Sequence, residues 1–388
     1  MIINDNNPFK PIFYKTLMKV DAVVFGGGAS GLWTLNELSN KGYSVVLIES
    51  QELGRGQTIA TQGIIHSGGK YLLMQSRGYS ESPFELITGI PKRLRSIRGL
   101  KQMPAIWEAH FNGQEPDLSD TISSNFCYFF QSSANFKTRI FENLCRFGLE
   151  TKLERVDPPE ILKGKRVFKM HERIIDPKKL LERLASPHAD KIIYGRAEFD
   201  DGVNINGISL NPEIKIFLAG SGNKTLAEAE GIDLPMQERP LTQKYIGHPD
   251  LPNFFGHCID GQQTRATITT HPSKKHGKVW QIGGTVAEDD LDIRKELPGI
   301  LNYELPRDAF IGSFKVNRAE PLAGGVRPSG TGIVEIENNI FGWPTKLVLV
   351  PELADEITKI MQSKIKPSGN KIDLSRQELR IANFPWDN

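Results

Sequence analysis

Cysteine is scarce in this chain: Cys127, Cys145 and Cys258 are the only three in 388 residues, an odd number with no C-x-x-C spacing. That excludes a disulfide-stapled scaffold and a thiolate zinc site, and no metal site is expected. A reducing compartment fits, so the expected location is cytoplasmic or peripheral to a membrane. Charge of one sign is also lacking. Lys and Arg number 48 against 46 Asp and Glu, a formal net charge of +2, which gives no general pull toward nucleic acid or anionic lipid. The basic run KRLRSIRGLK at 92–101 reads as a solvated helix face. No segment approaches the roughly 18 consecutive apolar residues of a membrane span. The leader MIINDNNPFKPIFYKTLMKV has neither an apolar core nor a small-residue cleavage site; residues 1–18 are expected to form an N-terminal arm, flexible or the product of a mis-called start before Met18. There is no internal repeat or low-complexity tract.

What remains is an ordinary globular composition, 39% hydrophobic and 24% charged, in a chain long enough for two domains. The most informative stretch is KVDAVVFGGGASGLWTLNELSNKGYSVVLIES (19–50). A valine-rich run suits a buried parallel strand. Gly26, Gly28 and Gly31 then fill a G-x-G-x-x-G pattern that includes Ala29 and Ser30, and Leu32, Leu35 and Leu38 share one helical face. A second strand ends in Glu49, 18 residues beyond Gly31, followed by Ser50. Gly26 permits the tight turn, Gly28 the close approach of a diphosphate, and Gly31 the packing of helix on strand. The helix N-terminus supplies amides, and Glu49 an acceptor for ribose hydroxyls.

The loop LGRGQTIATQGIIHSGGKYLL (53–73) distinguishes between dinucleotides. An NAD enzyme would usually begin another crossover helix here. This segment instead offers amides and hydroxyls to a long ligand: Arg55 to a phosphate, Thr58 and Thr61 to the diphosphate region, and Gly63 to Gly69 alongside a flavin ring. FAD is the expected cofactor.

In this segment the chain resembles FAD-dependent oxidoreductases of the D-amino-acid oxidase (DAO) type, among the glutathione-reductase-like flavoproteins. TQGIIHSGGKY is similar to segments of L-2-hydroxyglutarate dehydrogenases and of FAD-dependent glycerol-3-phosphate dehydrogenases. ERIIDPKKLLERLA (172–185), IKIFLAGSGNKTLAEAEGIDLPMQERPL (214–241) and RAEPLAGGVRPSG (318–330) follow in the family's order. GSGNKT (220–225) reads as a strand-end turn near the adenosine, since no second strand ending in an acid follows it. Electrons are therefore expected to come from an organic substrate.

The resemblance implies an α/β fold: a Rossmann-like FAD-binding domain from residues 19–75, 165–235 and 312–388. An inserted α+β substrate domain on an antiparallel sheet would comprise 76–164 and 236–311. Within these insertions, RATITTH and KVWQIGG read as a hairpin around PSKKHG. Helices are expected near 93–110 and 134–147. The resemblance further implies a small anionic substrate clamped by Arg327, with Arg239 and Arg318 as weaker candidates. It implies that His66 acts as a base, polarises the flavin or carries it covalently, and that Lys70 and Tyr71 line the same pocket. Gly220, Gly342, Thr345 and Lys346 are expected near the cofactor, although Trp343 and Pro344 depart from the glycine-rich turn usual before the last helix. His248, His257 and His271 are expected to be structural. The implied activity is hydride removal from a CH–OH or CH–NH centre, with a glycerol-3-phosphate dehydrogenase-like enzyme or a flavin-binding module without turnover as alternatives. Oxygen, a quinone and an electron-transfer protein all remain open as the acceptor.

Overall fold

The computed structural model describes residues 17–66, 98–131, 153–260, 263–322, 328, 330–372 and 374–388. Its first sheet is built from apolar runs. Strand β1 (Leu17–Phe25) is buried from Val20 onward, because both its faces are covered. It lies between β2 (Val45–Glu49) and β11 (Ile208–Phe217), parallel to both. The order β17-β18-β11-β1-β2-β9 is completed by β9 (Ile192–Tyr194), β17 (Gly332–Ile336) and β18 (Asn339–Trp343), with β10 (Val203–Ile205) antiparallel on β11. Helix α1 (Ala29–Asn40) buries Leu32, Leu35 and Leu38 in a core shared with Leu353 and Ile357. Phe25, Phe217 and Phe341 stack on the opposite face.

The second sheet is mixed and has eight strands, ordered β16-β12-β15-β14-β13-β5-β7-β6. They are β5 (Cys127–Gln131), β6 (Leu153–Val156), β7 (Val167–Met170), β12 (Met236–Gly247), β13 (Phe255–Asp260), β14 (Gln263–Ser273), β15 (Gly277–Gly283) and β16 (Phe310–Pro321). The hairpin β14–β15 closes at Ser273 and Gly277, around the turn that the sequence predicts. Residues 167–170 and 312–321, expected with the nucleotide-binding segments, run in this sheet instead: β7 pairs with β5, and β16 with β12 along its whole length. One face packs Ile246, Ile268, Trp280 and Ile282 with Val286, Ile293 and Leu297. A short third sheet holds β3 (Ile64–Ile65), β8 (Arg173–Ile175) and β4 (Ile122–Ser124).

Helix α2 (Arg98–Phe111) occupies part of the predicted 93–110 helix; the one predicted at 134–147 lies outside the described residues. Helix α3 (Pro177–Ala185) is capped by Asp176, whose side chain accepts from the amides of Lys178 and Lys179. Helix α4 (Gly222–Ala229) follows β11, and the next strand, β12, joins the other sheet, so no second parallel β-α-β unit forms there. Helices α5 (Thr285–Glu288) and α6 (Ile293–Ile300) flank the second sheet, and α7 (Val350–Lys364) follows β18.

Candidate functional site

The site begins where β1 ends. Gly26 has φ +104°, and a Cβ on Gly31 would stand 1.9 Å from the Gly26 carbonyl oxygen, so helix and turn fit together only without a side chain there. Gly28 is the N-cap of α1, with no side-chain cap and no acid in the first turn. The positive end of the helix is thus not neutralised by its own residues. A Cβ on Gly28 would meet only the Thr58 hydroxyl, at 3.2 Å. That hydroxyl accepts from the Ala29 amide at 3.1 Å, which brings Thr58 to the helix end. Ser30 is buried in the same turn.

Glu49 closes β2. Its Oε2 accepts from the Gly27 amide at 2.6 Å, and its Oε1 from the Gln51 amide at 2.9 Å, with the Ser50 hydroxyl at 3.4 Å. Gly27 was not singled out by the glycine pattern, yet a Cβ there would lie 2.5 Å from the Leu53 side chain. Gly220 (φ +60°) stands beyond the end of β11 beside Gln57, and Gly342 lies in β18 against Leu218 and Leu353. The turn residues, Glu49, Gly220 and Gly342 therefore meet at the carboxyl ends of the parallel strands, the edge where open α/β sheets bind ligands. A helix N-terminus with no acid in its first turn, a glycine-lined cradle and an acid on the neighbouring strand end fit the diphosphate and ribose of a dinucleotide.

Arg55 is exposed beside Glu52, at 3.5 Å. The Thr61 hydroxyl accepts from the Gly63 amide at 3.4 Å within its own turn. Gly63 (φ +70°) presses on β8, where its carbonyl accepts from the Ile175 amide at 2.9 Å. Thr345 has φ +57° and donates to the Gly330 carbonyl at 2.8 Å, while Lys346 Nζ reaches the Pro328 carbonyl at 3.4 Å. His66 is buried immediately after β3. Arg327, Lys70 and Tyr71 lie outside the described residues. Arg239 is held by Glu320 through Nε and, at 3.0 Å, through its terminal nitrogen; this ion pair raises its pKa further and occupies the fork proposed for an anion. His257 and His271 bond Thr267 (2.8 Å) and Thr269 (2.9 Å). Burial holds His271 at a pKa of about 3, so its ring is neutral. His248 lies near Asp250 and Asp308. Among the described residues no group of three His, Cys, Asp or Glu could hold a metal, and no helix is long and apolar enough to cross a membrane.

The second sheet supplies residues that the motifs did not mark. Gln62 donates to the carbonyls of Thr267 and Gln281 at 2.8 and 3.2 Å, fastening the loop after β2 to that sheet. Buried Gln243 and Gln281 meet the same loop at Ala60.

Comparison with known proteins agrees with this geometry. The DAO family, described as FAD dependent oxidoreductase, matches residues 21–191. The chain is 30% identical over 401 aligned residues to the FAD-dependent oxidoreductase PA4991 of Pseudomonas aeruginosa, covering 95% of this chain and 98% of that one. The crystal structure of PA4991 superposes with a TM-score of 0.76 at 28% identity over the same shares of the two chains. Glycine oxidase from Geobacillus kaustophilus (TM-score 0.57, 15% identity) and FAD-bound L-α-glycerophosphate oxidase from Mycoplasma pneumoniae (0.61, 15%) share the fold, each over 93% of this chain and 100% of theirs.

Proposed function

Because the chain belongs to the DAO family of FAD-dependent oxidoreductases, with FAD as its cofactor, we propose that it oxidises a CH–OH or CH–NH centre of a small anionic substrate such as a 2-hydroxy acid or an amino acid. FAD, when bound, supplies the hydride acceptor. The observation that carries the reading is the juxtaposition of the α1 N-terminus, free of acidic residues in its first turn, with Glu49 at one sheet edge. There the turn through Gly26, Gly28, Ala29, Ser30 and Gly31 cradles the diphosphate in a Rossmann-like arrangement, with the backbone amides of Gly28, Ser30 and Gly31 as donors, since that of Gly26 bonds the Ile48 carbonyl and that of Ala29 the Thr58 hydroxyl. Glu49 keeps lone pairs for ribose hydroxyls beyond those its two amide donors use. Thr58, Gly63, Gly220, Gly342, Thr345 and Lys346 line the remaining length of the cofactor.

The loop that leaves the diphosphate end at Thr58 reaches His66 eight residues later, with its middle against the second sheet. That sheet forms the far wall of the substrate space. His66 takes the hydroxyl or amine proton at a ring nitrogen as the hydride leaves. Arg327 is assigned to the substrate anion on the chemistry of its two parallel donors.

The test is an anaerobic screen of the purified flavoprotein with 2-hydroxy acids, amino acids and glycerol 3-phosphate. A hydroxy acid or amino acid should bleach the visible flavin absorption. Bleaching by glycerol 3-phosphate alone selects the polyol phosphate alternative. If dithionite reduces the flavin and none of these compounds does, the proposed substrate class is wrong.

A further inference from the structure

In β15, Gln281 lies between Trp280 and Ile282, which pack against α5 and α6 on the other face of the second sheet. The two-residue period therefore turns Gln281 toward the loop after β2. It is fully buried, and a buried carboxamide is costly unless bonded. Its Nε2 donates to the Ala60 carbonyl at 2.8 Å and to Gln243 Oε1 at 2.5 Å. Gln243 Nε2 donates to that same Ala60 carbonyl at 3.3 Å. Gln281 Oε1 has no partner among the described residues, so the side chain is held through its NH₂ group. The loop is thus fixed at one end by Thr58 on the Ala29 amide, at the other by Gly63 on Ile175, and in its middle by two amides from the opposite sheet.

We propose that Gln243 and Gln281 are positioning residues of the oxidation: by gripping Ala60 they set the loop from Thr58 to His66 against bound FAD. This rests on the reading that the loop runs beside the cofactor. The pair touches neither end of the loop directly and acts through its backbone.

The experiment uses the full chain and its variants Gln243→Met, Gln281→Met and the double substitution. Methionine keeps the length and removes the donors. FAD affinity is measured by titration of apoprotein, and the visible circular dichroism of the flavin is recorded at saturating FAD. Each single variant should weaken FAD binding about tenfold, the scale of one hydrogen bond, and change the spectrum of bound flavin. The double variant should be no worse than the weaker single by more than about twofold, since both amides serve one acceptor. Unchanged affinity and spectrum in the single variants overturn the proposal, and so does a fall in melting temperature with the bound-flavin spectrum unchanged. Should Gln281→Met fail to fold, Gln243→Met decides by the same criteria. A wild-type chain that cannot bind FAD overturns the functional reading and this one together; a flavin-loaded wild type with unaffected variants overturns this one alone.

Discussion

At the residue scale, the turn between β1 and α1, proposed to cradle the cofactor, depends on what is missing from Cα. Gly31 cannot carry a methyl group without pushing it to 1.9 Å from the Gly26 carbonyl, and a backbone atom cannot move aside as a flexible side chain can. Gly31→Ala should therefore displace the start of α1 and release the diphosphate. The flavin-to-protein ratio of the purified variant should fall at least about tenfold, the scale of 1.4 kcal/mol. Retention of full flavin content would show that the helix end does not hold the cofactor. Arg239 illustrates the opposite case. Its guanidinium is suited to a substrate anion, but Glu320, 81 residues away, takes it.

At the scale of one element, β14 carries Thr267, Thr269 and His271 on the face that also bears Gln281 of its neighbour β15 and Gln243 of β12 beyond it. Burial lowers the His271 pKa from an ordinary 6.5 to about 3, and that of His188, on the turn after α3, to about 4. Both shifts act in the same direction. Above pH 6.5 each ring is neutral whether the chain is folded or unfolded, and the full stability is present. As the pH falls below 6.5 the unfolded chain binds protons that the folded one refuses, so stability declines until the folded pKa is reached. At about pH 5 His271 alone should account for a loss of ~2 kcal/mol relative to about pH 7.5. Urea denaturation at the two pH values measures it. In His271→Gln the decline should shrink by that amount; an equal decline in both proteins would place the proton elsewhere.

At the scale of the whole molecule, the C-terminal tail joins the two sheets. The Leu53 amide donates to the Arg380 carbonyl at 2.7 Å, and Ala382 returns a bond to Leu53 at 3.1 Å, next to the glycine-rich turn at Gly27. A few residues later Trp386 is buried against Phe384, Tyr245 and Phe314, and Asp387 accepts from the Ser273 hydroxyl at 2.6 Å on the β14–β15 hairpin. Trp386→Ala should cost about 3–5 kcal/mol, the range for emptying a buried aromatic site. Ile106→Ala, at a position 37% exposed, should stay within about 0.5 kcal/mol of wild type. Equilibrium denaturation compares the two, and equal effects would mean that the tail does not brace the sheets.

The sequence by itself determined what short-range physics decides. The β1–α1–β2 unit was legible because its strand run, glycine spacing, helical face and terminal acid all lie within residues 19–50, and the β14–β15 hairpin because its turn residues sit between two alternating runs. The family resemblance added the cofactor. Only the tertiary structure decided which sheet receives β7 and β16, since pairing between distant strands leaves no local mark. It also decided the partners of Gln243 and Gln281. A glutamine between tryptophan and isoleucine in a strand shows the same alternation whether its face meets water or another domain, and only the packing of the loop and the tail onto that face made it an interior.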